Sequence, residues 1–288
     1  MTKEEVLQIG ITSCRSSPSF IKTLEFDPTR SGLSTTEPGY TGVVLIEHPR
    51  NMADSASKKT YQDRSWAQHG FMGGITSDSD GNTFTAPLPK AEKASSWREM
   101  NKIYKLDSET GNMAMLTELA KADSSAGTYP LAVLGIYYDC HGKKIYAASV
   151  AGSNKNKENG VIYVIDPEDG DVVDKLEGYD AFAVFVGGLT GEKRLYFGSA
   201  RTSAVYSIEL TKNGKFTGDV KEECSLKNLG PRGNDKAQNI RFDEKGYMMV
   251  YGIEFDYSLP VKGEDAETLY QFAYDKGSKK WLTVQGRQ

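Results

Sequence analysis

Apolar and polar positions along this chain fall into a two-residue alternation that returns four times, each time with a tyrosine at the same point. The segments are NKIYKLDSETGN, GVIYVIDPEDGD, SAVYSIELTKNGK and ETLYQFAYDKGSKK, and the tyrosines are Tyr104, Tyr163, Tyr206 and Tyr270. Two residues further on stand Leu106, Ile165, Ile208 and Phe272. Successive strand residues point to opposite faces, so each segment is predicted as a strand with one large apolar pair on a single face. The opposite face carries Ile103, Ile162, Val205 and Leu269, and is apolar as well. Strands apolar on both faces are what stacked sheets require.

Each of these strands closes a longer unit. Upstream lie an apolar strand, a turn with glycine and a second strand, in Gly73–Pro87, Leu134–Ser149, Val184–Ala200 and Asn239–Ile253. Downstream lies a short fourth strand, at Met115–Leu119, Val172–Leu176, Val220–Leu226 and Trp281–Gln285. The glycines of the first turns (Gly81, Gly142, Gly191, Gly246) and of the second (Gly111, Gly170, Gly214, Gly277) stand where hairpins can need positive φ. A unit this short cannot bury both faces alone, so its copies must pack on one another. Four meandering antiparallel strands per copy make a propeller blade, and the predicted fold is all-β, a β-propeller of five or six blades. Phe20 to about Asp63, with strand-like IKTLEF and TGVVLIEH, is long enough for a degenerate blade. The expected organisation is a flexible segment over 1–19 and a single propeller domain over 20–288.

Bulk properties exclude some classes of function. Lys and Arg total 35 against 39 Asp and Glu, and the net charge is −4. With both signs interspersed and no basic block, binding to nucleic acid is not expected. No apolar run is long enough to span a membrane. The closed ring expected of a propeller leaves no sheet edge for a partner to cover, which points to a monomer.

Cys14, Cys140 and Cys224 show no metal-ligand spacing, and three cysteines do not make a disulfide framework. Cys140 beside His141 is read as a turn residue rather than a nucleophile, since no base and orienting group are implied. Ile11-Thr12-Ser13-Cys14 resembles the lipobox of bacterial lipoproteins, and RSSPS after it looks like a tether. That resemblance implies an extracytoplasmic home, periplasmic or lipid-anchored. MTKEEVLQIG nevertheless lacks the basic start and apolar core of an export signal, so a cytoplasmic home is the alternative.

The strand–glycine turn–strand pattern, followed by a strand ending in Asp and a second glycine turn (IYKLDSETG, IYVIDPEDG), resembles the senescence-marker-protein/gluconolactonase-like propellers. It is similar also to the NHL-repeat and strictosidine-synthase-like propellers. The resemblance implies a divalent metal, typically Ca2+, in the axial channel, held by oxygen ligands placed just before the innermost strands. It implies a metal-assisted lactone or ester hydrolase acting on a small molecule. Before those strands here stand Gln68–Phe71, Thr128–Leu131, Gly178–Ala181 and Arg232–Asp235, without the Pro-Asn-Gly and Pro-Asp-Gly ligand motifs. The oxygen donors in plausible places are Asp180, Asn234, Asp235 and Asn239, with Glu47 an outside candidate. They form the candidate metal set.

The candidate catalytic residues are His69, Asp180 and Arg232, with His69 read either as a channel-facing base or as a solvated loop histidine. His48 beside Glu47 is read as a surface residue. The candidate ligand-binding set is Tyr129, Asp180, Asn234, Asp235 and Asn239. Junction aromatics Trp66, Phe71, Tyr129, Tyr179 and Phe182 are expected either to line a pocket or to pack between blades. Two functions follow: the metal-assisted hydrolase, and a non-catalytic propeller that binds a ligand or protein through its junction loops. A fold alone does not choose between them.

Overall fold

A computed structural model of the chain describes residues 2–50, 58–88, 100–120, 131–257 and 267–284. Its strands form five antiparallel sheets, one of three strands and four of four. The first holds β1 (Ser31–Ser34), β2 (Val44–Glu47) and β3 (Lys59–Tyr61). The second runs β4 (Met72–Ser77), β5 (Thr83–Pro87), β6 (Lys102–Leu106), β7 (Met113–Glu118). The third runs β8 (Val133–Asp139), β9 (Lys144–Ser149), β10 (Val161–Ile165), β11 (Val172–Glu177). The fourth is β12 (Ala181–Gly187), β13 (Arg194–Ser199), β14 (Ala204–Leu210), β15 (Phe216–Ser225). The fifth is β16 (Lys236–Phe242), β17 (Tyr247–Ile253), β18 (Thr268–Asp275), β19 (Lys280–Thr283). In every four-stranded sheet the spatial order follows the chain, the meander expected of a blade.

Stacking of the sheets explains the apolar alternation. Tyr104 and Leu106 of β6 lie in the cluster with Leu45 and Trp66, between the first and second sheets. Ile165 of β10 packs with Phe84 and Ile103 of the second sheet, and Ile208 of β14 with Tyr146 and Ile162 of the third. Phe272 of β18 meets Tyr196 and Val205 of the fourth. Each sheet therefore gives its tyrosine-row face to the sheet before it. The opposite positions Ile103, Ile162 and Val205 are fully buried, but Leu269 is 50% exposed. Its cross-strand neighbours are Tyr251 and, beyond that, Asn239. Among the described residues, no apolar cluster joins this face of the last sheet to the first sheet.

The N-terminal part differs from its expectation. IKTLEF was expected as a strand but begins as a short helix, α2 (Phe20–Thr23), whose Phe20 and Ile21 are buried against Trp66 and Tyr104. Ahead of it, α1 (Lys3–Gln8) starts in a capping box in which Thr2 Oγ1 accepts from Glu5 N and the Glu5 carboxylate accepts from Thr2 N. Where a tether was expected, the chain is packed. Ile9 is buried and its carbonyl accepts from Gly188 N at 3.1 Å, while Ser16 N donates to Asp78 O at 3.2 Å. Cys14 is disulfide-bonded to Cys140 across a Cα–Cα distance of 6.1 Å, which corrects the expectation of unpaired cysteines. The reason is positional: the strap carries Cys14 over the β8–β9 turn, a proximity that spacing along the chain cannot reveal.

Candidate functional site

The innermost strands β4, β8, β12 and β16 surround a cavity of about 520 Å³. Each starts with the same irregularity: one residue more than its partner strand can match. The extra residues are Leu134 in β8, Phe182 in β12 and Gln238 in β16, and in β4 Gly73 and Gly74 stand opposite Ala86. A bulge bends its strand and re-aims the side chain it carries. These four bulges ring one mouth of the channel. Leu134 and Phe182 join an apolar cluster with Leu131, Ile253 and Phe255 there, whereas Gln238 turns a polar side chain into the cavity wall. The Gln238 Oε1 atom is buried and has no hydrogen-bond partner.

The other mouth lies at the turns where the innermost strands end, and the N-terminal strap crosses it. The strap touches Gly188 past β12, then Cys140 past β8, then Asp78 past β4, so it laces three sheets in reverse chain order. Gly10 is needed on this path: its φ is +84°, and a Cβ would lie 2.6 Å from the Phe185 ring and 2.7 Å from Val186 O. Strap residues 10–15 form part of the cavity wall. Among them the Arg15 guanidinium stands over the Tyr137 ring at 5.6 Å. Burial pushes the Tyr137 phenol up to about 12, against the pull of Arg15, so its hydroxyl stays a neutral donor at ordinary pH. From the fifth sheet come Asn239 and Arg241, and the Arg241 guanidinium lies over the Tyr251 ring at 4.7 Å.

The carboxylates singled out from the sequence are not free for an ion. Asp180 is 2% exposed, just before β12. Its carboxylate accepts from Ser153 Oγ at 2.5 Å and from the Tyr257 hydroxyl, and pairs with Arg201 Nε at 2.7 Å. It thereby ties loops of the third, fourth and fifth sheets together. Burial and the Asp180 carboxylate together hold the Tyr257 phenol in its protonated form. Asp235, fully buried before β16, accepts from Arg232 Nε at 2.5 Å, Arg232 Nη2 at 2.8 Å and the Tyr270 hydroxyl at 2.8 Å. Burial works to raise its pKa, but the hydrogen bonds from Arg232 and Tyr270 outweigh it and hold the carboxyl below its ordinary value. Glu47 accepts from Arg30 Nη2 at 2.7 Å and from Asp27 N at 2.9 Å.

All three candidate carboxylates are thus taken by an arginine. Asn234 is exposed, with its carbonyl accepting from Lys236 Nζ at 2.8 Å, and only Asn239 of the candidate metal set lines the cavity. Among the described residues no group of three His, Cys, Asp or Glu side chains is placed to hold a metal. The donor set therefore does not fit the calcium site that the resemblance implies.

The remaining candidates divide by position. His69 is not in the cavity wall but packs on Tyr104, ring centroids 4.2 Å apart, and its Nε2 is 2.9 Å from Gln68 Nε2. His48 is exposed, and Tyr129 lies outside the described residues. Trp66 is fully buried and donates to Gly111 O at 2.7 Å, and Phe182 packs at a tilt against Phe255, ring centroids 4.8 Å apart, so both serve packing. Tyr179 packs against Phe197 at 5.4 Å.

Sequence reasoning missed the wall residues Arg15, Tyr137, Gln238 and Arg241. The signal was there for two of them: Gln238 and Arg241 are polar positions on a strand that must face the axis. Also missed was a buried ion pair between Asp139 and Lys193, side chains 1% and 3% exposed, which joins the first turns of the third and fourth sheets.

No protein family and no curated protein matches the chain. Solved structures do share its architecture. The β-propeller domain of Cps50 (Swd1) from Myceliophteria thermophila has a TM-score of 0.50 at 10% identity, over 90% of this chain and 70% of that one. The Dos1 propeller has a TM-score of 0.48 at 9% identity, over 75% of this chain and 50% of its own. Regucalcin of Agrobacterium tumefaciens, a calcium-binding protein, has a TM-score of 0.43 at 15% identity, over 73% of this chain and 60% of its own. At such identities the likeness is one of fold, and the fold of this chain is a β-propeller.

Proposed function

We propose that this chain is a binding propeller that holds a small molecule in its axial channel without catalysing a reaction on it. One observation carries the reading: the carboxylates a metal-assisted hydrolase would draw on are each held by an arginine, while the channel wall offers neutral and cationic groups. A cavity of about 520 Å³ suits a small ligand, and its wall mixes apolar strand residues with a few convergent polar ones. A gluconolactonase-like hydrolase would need Asp180 or Asp235 to leave its guanidinium, which would strand a buried charge. We place the protein in an extracytoplasmic compartment, a reading supported by the Cys14–Cys140 disulfide, since such bonds persist where the surroundings oxidise. A lipid on Cys14 would require the same sulfur, so the anchored and the disulfide-bonded forms exclude one another.

The test is a fragment screen by ligand-observed NMR, run beside a lactone and aryl ester turnover panel with added divalent metals. Hits should appear and should vanish in Asn239→Trp, whose indole fills the channel, with no turnover above buffer. Metal-dependent lactone hydrolysis would overturn the reading.

A further inference from the structure

The cavity wall carries two guanidinium groups and, among the described residues, no carboxylate. This is unusual placement in a chain whose net charge is −4. Elsewhere the arginines near the channel mouths are neutralised: Arg201 by Asp180, Arg232 by Asp235. Arg15 and Arg241 have no carboxylate partner among the described residues. The Arg15 guanidinium stands over the Tyr137 ring, and that of Arg241 stands over the Tyr251 ring, to whose hydroxyl its Nη2 donates.

Acidic groups on the turns that end β4 and β8 are already engaged. Asp139 is paired with Lys193 and accepts from His141 N and Gly142 N. Asp78 accepts from Asp80 N, Asn82 N and Asn82 Nδ2. A guanidinium over an aromatic ring can still present edge N–H donors to a planar anion and match carboxylate or phosphate in a fork; on Arg241 that edge is the one away from the Nη2 donating to Tyr251.

We propose that the channel ligand is a small organic anion, carrying a carboxylate or phosphate group that Arg15 and Arg241 receive. The proposal rests on the binding reading above and names its ligand class. Gln238 and Asn239 add amide groups on the same wall, suited to a hydroxyl or carbonyl on the body of the molecule.

The test is calorimetric titration of the full chain at constant ionic strength with citrate, inorganic phosphate and glucose as probes. At least one anion should bind with a dissociation constant of about 1 mM or tighter, and Arg15→Gln and Arg241→Gln should each weaken it about tenfold or more. Both residues are exposed strap or strand positions, so folding of the variants is checked by their melting curves. Binding of glucose but not of the anions, unchanged in the arginine variants, would overturn this inference and leave the binding reading standing. Anion binding insensitive to both substitutions would overturn it as well. Failure of all three probes to bind would overturn the inference, and with no fragment hits in the NMR screen the binding reading would fall too.

Discussion

At the β8–β9 turn a buried ion pair, Asp139 with Lys193, lies directly against Gly142. Gly142 was expected to supply positive φ to the β8–β9 turn, yet in that turn the residue with positive φ is Lys143, at 48°. Gly142 is required for space: a Cβ there would run into the Asp139 carboxylate and the Lys193 ammonium, which meet beneath it. The turn was legible as a turn, while the ion pair was not, because its two halves sit on different sheets. Asp180 and Asp235 were legible as polar groups before innermost strands, but their arginines fixed their role, and Arg201 gave no signal of its own. The consequence for Asp235 is a pH dependence. Its folded pKa lies below the usual carboxylate value, so its stabilisation is complete above the unfolded value of about 3.9 and is lost as the pH falls through the folded one. Asp235→Asn should remove that part of the acid sensitivity and cost about 3 kcal/mol at neutral pH, since it takes the buried carboxylate away from the Arg232 guanidinium. Urea melts of both proteins between about pH 3 and 7 check it.

At the scale of elements, the strands of the second to fifth sheets were readable because each repeats one pattern under one constraint, burial against neighbours. The N-terminal strap was not, since its sequence contains no period and its purpose is a path across other strands. Ile9, Cys14 and Phe20 are its anchors, on the fourth, third and second sheets respectively. The disulfide closes a loop of 126 residues; restriction of the unfolded chain alone would give about 5 kcal/mol, and native disulfides typically contribute about 2–4 kcal/mol. Cys14→Ser and Cys140→Ser should each lower stability by that amount, and equally, as measured by urea unfolding. Either variant should also weaken any ligand held by Arg15, because the residue after Cys14 loses its fixed position. Unequal losses would mean that one cysteine acts outside the bond.

Across the whole molecule, one repeat position gives opposite results according to where its sheet stands in the array. Ile162 is buried between two sheets, whereas Leu269 on the fifth is half exposed. Ile162→Ala should cost about 2–5 kcal/mol, while Leu269→Lys should change stability by no more than about 0.5 kcal/mol. Radial stacking was therefore legible from the alternation, but the exposure of Leu269 was not, since the fifth copy has the same pattern as the others. The resemblance to calcium-dependent propellers rested on that same stacking pattern, which is architecture and not ligand chemistry. What separates the two is whether Asp180 and Asp235 serve an ion or their arginines. Calorimetric titration of chelator-stripped protein with calcium, at about 0.15 M salt, asks this directly. Committed to Arg201 and Arg232, the two aspartates should give no saturable heat. A saturable calcium site that disappears in Asp180→Asn or Asp235→Asn would contradict the account.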